Sequence, residues 1–150
     1  MKKLYKLDRI SVLGIFLIYL FMTIIKMLVA DQNVAEMPQM GRYLKLGIFA
    51  LVALIAFGVF YWVYTLLLKN NDHYKVTLLV NMSLCLAFVA LLGTIVYLIA
   101  GKTNIWVSGI VGAIGFGGLG LLNWESLDVP QADKIKISVL TVIGFILTLV

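Results

Sequence analysis

Few side chains in this sequence have the chemistry for a reaction, and their spacing keeps them apart. The single histidine, His73, stands beside Asp72 in KNNDHYK, residues 69–75. A histidine oriented by an aspartate can serve as a base, but it needs a nucleophile in reach, and a metal needs three or four converging ligands. That segment supplies neither and reads as a solvated turn. Cys85 is the single cysteine, so a disulfide within the chain is impossible. Ser83 lies close to it in the same apolar run, again without a base. Glu125, Asp128 and Asp133 follow no calcium-loop spacing. No catalytic residue, metal ligand or cofactor site is assigned on this pattern.

Gly115, Gly117 and Gly120 satisfy the G-x-G-x-x-G spacing of dinucleotide-binding loops. That motif works where a strand precedes it and a helix opens within it, with an acid about 20 residues on. Here apolar sequence continues on both sides. A nucleotide site is therefore set aside.

The remaining candidates are polar residues inside apolar runs. Lys26 is the one charge well inside such a run, and it is read as an anchor reaching for the nearer membrane interface. Helical side chains lean towards the amino terminus, so Lys26 would reach against its tilt, eased by an acid at Asp31 or Glu36. Thr77, Asn81 and Cys85 recur every fourth residue on one helical face. Polar groups in lipid need partners, so this stripe is read as bonding between helices, or else as a polar path for a solute.

The elements that must carry these residues are long apolar runs. Residues 104–124, NIWVSGIVGAIGFGGLGLLNW, are dense in glycine, which costs about 1 kcal/mol relative to alanine in a water-exposed helix. In lipid the helix is the local way to pair backbone groups, and glycine is tolerated there. Ser108, Gly109, Gly112, Ala113, Gly115 and Gly120 fall on one side, interrupted by Phe116 and Leu119. Val107, Ile110, Val111, Ile114, Leu121 and Leu122 take the other. Gly109, Ala113 and Gly117 repeat the small-xxx-small spacing of close helix pairs. The small side is predicted to be a packed seam. In the preceding run Ser83, Ala87, Ala90 and Thr94 form a second small stripe, predicted to receive it, since the short link at residues 101–104 makes the two runs antiparallel neighbours.

Composition sets the class. The chain is 63% hydrophobic and 13% charged, with a mean hydropathy of +1.07, far from soluble domains. An all-α integral membrane protein is predicted: one polytopic domain over residues 1–150, a compact bundle of about five transmembrane helices and no soluble domain. Crossing about 30 Å of hydrocarbon takes about 20 residues. The runs lie near residues 10–30, 44–68, 76–100, 104–124 and 135–150, the fifth being short. Residues 31–43, with Pro38 and Gly41, and residues 125–136, with Pro130, are read as loops. Tyr61, Trp62 and Tyr64 are read as head-group markers.

A basic start before an apolar run also describes a secretory signal, but this run is long and Leu28 suits a cleavage site poorly. The net charge of +5 is scattered at run ends, which favours anionic head groups over nucleic acid. Lys2, Lys3, Lys6, Arg9, Lys69, Lys75, Lys134 and Lys136 fall on one side, against Lys26, Arg42, Lys45 and Lys102 on the other. By the positive-inside rule the amino terminus is cytoplasmic and the carboxyl terminus outside. Ten lysines against two arginines hint at an AT-rich bacterial genome, and the expected location is a bacterial cytoplasmic membrane. The expected partners are the bilayer and a membrane protein or a second copy. The expected function is helix-to-helix association in an accessory, stabilising or immunity-type role, without catalysis, and the alternative is an oligomeric transporter or channel component.

Overall fold

In a computed structural model the described residues are 6–31, 37–68, 74–101 and 105–147, and they form five α-helices and no strand. These are α1 (Arg9–Ala30), α2 (Gln39–Leu67), α3 (Tyr74–Ala100), α4 (Ile105–Ser126) and α5 (Gln131–Leu147). The first four are long and apolar enough to cross a membrane. The fifth, with 17 residues, rises about 26 Å and opens on Asp133, Lys134 and Lys136.

Two helices begin earlier than their apolar runs, and proline is the reason. Pro38 and Pro130 each stand just before a helix, where a missing N–H costs nothing and the fixed φ suits helical entry. The Arg42 amide donates to the Pro38 carbonyl at 3.1 Å, and that of Lys134 to the Pro130 carbonyl at 3.1 Å. Helix α2 therefore absorbs Gly41 and Arg42, and α5 absorbs Gln131 to Lys134, all expected in loops. The link between α4 and α5 shrinks to residues 127–130, whose Leu127 and Val129 are buried. At the end of α3, Gly101 takes a positive φ of 67° and its amide caps the Tyr97 carbonyl at 2.8 Å.

Successive helices run antiparallel. The Tyr19 hydroxyl donates to the Ala53 carbonyl at 3.2 Å, and Asp31 pairs with Lys45 at the far end of the same helix pair. Lys134 Nζ donates to the Trp124 carbonyl at 2.9 Å, closing α4 onto α5. Around the bundle the order is α1, α2, α5, α4, α3, with α3 packed most extensively on α1 and also touching α2.

The two ends of this bundle differ. At the Leu68 end, Tyr64, Leu68, Leu78, Val80, Met82, Leu119, Leu127 and Ile137 are fully buried. An aromatic layer lies across the middle: Phe57 stands 4.8 Å from Tyr19 and 5.0 Å from Phe16, and Phe116 stands 6.2 Å from Phe60 and 6.1 Å from Phe145. Towards the Asp31 end the helices part around a cavity.

Candidate functional site

Helix α4 turns a different face inward than its glycines suggest. Val111, Gly112, Gly115, Phe116, Leu119, Asn123 and Ser126 are buried, whereas Ser108 and Ala113 are exposed and meet no close seam within the chain. Phe116 and Leu119, read as interruptions of a small face, are the centre of the buried one. Bulky side chains fill the space between five helices, and glycine alone would leave it void. Val111, placed on the outward side by its size, is buried for the same reason. Gly115 is where backbones approach: a Cβ there would come within 1.8 Å of Val89 Cγ2. Gly109 and Gly120 are partly buried, Gly120 lying near the Thr141 methyl.

The face of α3 that receives α4 also differs from expectation. Gly115 abuts Val89 and the Cys85 carbonyl, and Gly118 lies near Cys85 Sγ. The stripe Thr77, Asn81, Cys85 therefore faces α4. Ser83, Ala87, Ala90 and Thr94, all buried, lie on roughly the opposite side of α3, turned to α1, where small side chains permit the longest helix contact in the bundle.

Polar chemistry decides this choice of face. Asn81 Nδ2 donates to Asn123 Oδ1 at 2.9 Å and to Ser126 Oγ at 2.8 Å, and Ser126 Oγ donates onward to the Leu122 carbonyl at 2.6 Å. The three residues are 1%, 2% and 4% exposed. Asn123 and Ser126 stand three apart on one helical face, which is what lets a single amide bridge them. Asn81 Oδ1, Asn123 Nδ2 and the Thr77 and Ser83 hydroxyls have no partner among the described residues. A second bond joins α2 to α5: Thr141 donates to the Ile137 carbonyl at 2.8 Å, so the Tyr64 hydroxyl, 2.6 Å away, donates to Thr141. Tyr64 is thus core and not a head-group marker, while its neighbour Trp62 is exposed. The polar groups gathered here are amides and hydroxyls without a base or an acid, and their geometry is that of fasteners between helices.

Lys26 lies against α3 along its alkyl stem while the residue stays exposed. Its side chain lies over Gly93, where a Cβ would stand 3.0 Å from Lys26 Cε, so Gly93 is the residue that makes room for it. Asp31, one of the two acids expected to ease Lys26, pairs with Lys45. The other, Glu36, lies outside the described residues, as do Lys2, Lys3, Lys69, Asp72, His73 and Lys102. Glu125 and Asp128 are exposed, and Asp133 pairs with Lys136 at 3.1 Å. Among the described residues no three metal-ligating side chains gather.

Outside the core, the ridge Gly109, Ala113, Gly117 runs along the surface of α4. Ala113 and Gly117 are exposed, and a Cβ on Gly117 would meet nothing within 4 Å. Between this ridge and α5 runs a groove of about 510 Å³, floored by Gly117, Gly120 and Thr141 and flanked by Leu121, Trp124 and Val142. No family model, no curated protein and no solved structure matches this chain.

Proposed function

We propose that the chain crosses a bacterial cytoplasmic membrane as a five-helix bundle and works by association with another membrane protein, with no turnover of its own. The observation that carries this is the unoccupied small ridge on α4. In lipid, close approach of backbones is a main source of helix affinity, and small residues four apart allow it. The glycines that the bundle uses, Gly112 and Gly115, face inward; Ala113 and Gly117 are spare. The adjoining groove offers a partner helix a second wall.

The transporter or channel reading rests on the Thr77, Asn81, Cys85 stripe or on Lys26; Asn81 bonds to Asn123 and Ser126, which favours a fastening role for the stripe, and Lys26 lines a cavity. The charge distribution supports a cytoplasmic amino terminus. In a Cys85→Ala background, an impermeant thiol reagent applied from outside should then modify a cysteine at Gln39 and spare one at Asn71; the reverse would overturn the orientation. The test of function is purification in mild detergent. A defined membrane-protein partner should be recovered and should be lost from Gly117→Leu protein of unchanged melting temperature. Unaided solute flux in liposomes with no partner recovered would overturn the proposal.

A further inference from the structure

The cavity at the Asp31 end has a volume of about 380 Å³, within the roughly 300–1,000 Å³ of small-molecule sites. Phe57, Phe60 and Phe116 floor it, and Leu86, Val89 and Val111 wall it. Lys26 is the single charged residue in its lining. From Lys26 down α1 to Tyr19 at the floor the rise is about 10 Å. The cavity is thus an apolar shaft with one cation near its top. That cation has no hydrogen-bond or ion-pair partner among the described residues, since Asp31 is engaged by Lys45. Lys26 is itself exposed at the edge of the cavity, and an ammonium exposed to lipid is costly unless a counter-charge reaches it.

The opening of the cavity indicates where that counter-charge comes from. Among the described residues, α2 and α4 do not pack along their length, and Phe60 against Phe116 joins them only at the floor. Ala56 on α2 and Ser108 on α4 both line the cavity and are both exposed, so it opens sideways between those helices. In a membrane such an opening faces lipid, not water.

We infer that this cavity binds a single-chain fatty carboxylate entering from the bilayer, its alkyl chain lying against the aromatic floor and its carboxylate on Lys26. Chain and head are both needed to match the site. A neutral hydrocarbon leaves Lys26 unpaired, and a small soluble anion leaves the shaft unfilled. Gly93 has a part in this geometry, because a Cβ there would stand 3.0 Å from Lys26 Cε and the lysine stem would have to give way by a few tenths of an ångström. The inference rests on membrane insertion as proposed above, and not on association with a partner.

The test uses the full chain in phosphatidylcholine liposomes with dodecanoic acid carrying a photoreactive diazirine on its alkyl chain, and the methyl ester of the same probe. The acid should label the cavity walls at Leu86, Val89 and Val111, and excess plain dodecanoate should compete. Lys26→Gln should reduce labelling about ten-fold, to the level of the ester, as expected for loss of one charge-assisted bond, while Lys26→Arg should retain it. Ala56→Phe, at an exposed position, narrows the side opening and should reduce labelling with Lys26 still present. The ester comparison and Ala56→Phe decide the matter even if Lys26→Gln folds poorly. Equal labelling by acid and ester, or adducts confined to outward residues such as Ile114 and Leu121, would overturn the site. Protein stripped from the liposomes by alkaline washing would overturn the membrane reading and this inference with it.

Discussion

The Leu68 end and the Asp31 end are built from the same helices and held in different ways. At the first, side-chain bonds cross between helices: Asn81 to Asn123 and Ser126, Tyr64 to Thr141, and the Tyr61 hydroxyl to the Lys75 carbonyl at 3.2 Å. At the second, α2 and α4 diverge, a cavity lies between the helices, and an ion pair of Asp31 and Lys45 ties α1 to α2 at the rim. Bonds between membrane helices average about 0.6 kcal/mol and reach about 1.7, so the several gathered around Asn81 and Tyr64 add up, while the cavity leaves room for movement at the other end. Stability is expected to be concentrated below the aromatic layer and adaptability above it.

The largest break in this comparison should come from Gly115→Leu. Its side chain would run into the stiff, β-branched Val89 and the Cys85 backbone, and overpacking costs about 1 to 3 kcal/mol, occasionally more. A large drop in melting temperature in detergent is expected. Gly117→Leu, two residues on, should melt within about 0.5 kcal/mol of the parent, as surface changes do. Similar losses at both would mean that α4 is rotated from the position described.

Asn81→Leu comes next, because it strands Asn123 and Ser126 without their donor in a sealed site. A loss of about 1 to 2 kcal/mol is expected in unfolding titrations. Restoration of stability in the Asn81→Leu, Asn123→Leu double variant would show that the cost was the stranded amide. Tyr64→Phe removes one donor while Thr141 keeps its bond to Ile137, so about 0.5 to 1 kcal/mol should be lost, and less after Thr141→Val has already been made. Non-additivity in that pair, and none between Tyr64 and Asp31, is the expected pattern. The smallest effect belongs to the Asp31 end: Asp31→Asn removes a partly exposed ion pair and should change stability by at most about 1 kcal/mol, less in high salt.

Much of the helix architecture was legible in the apolar runs, because length and hydropathy are summed over many residues and tolerate local error. The expected run at residues 76–100 differs little from α3 at Tyr74–Ala100. The starts of α2 and α5 were misread because a proline next to polar residues looks like a loop, although proline is as well suited to open a helix. The faces were less legible. Side-chain size sorted Ser108, Gly112 and Ala113 onto one side of α4, but inward position is set by what fills the interior, and Phe116 and Leu119 do so better than glycine. The partners of Asn81 could have been sought in Asn123 and Ser126, polar residues spaced three apart at the same depth in the antiparallel neighbour. The role of Gly93 could not: it depends on Lys26, 67 positions away in sequence, coming to lie beside it.

The central claim, that the outward ridge of α4 is an association surface, is tested most directly by photo-crosslinking in native membranes. A photoreactive benzoylphenylalanine would replace Leu121, which is exposed and flanks the groove, and, in a second protein, Ile55 on the exposed face of α2. Illumination should join the Leu121 position to one discrete protein, either a second copy or a different chain, and Gly117→Leu in the same molecule should suppress that adduct, while the Ile55 position yields none. No protein adduct from the Leu121 position, or the same adducts from both positions, would contradict the claim.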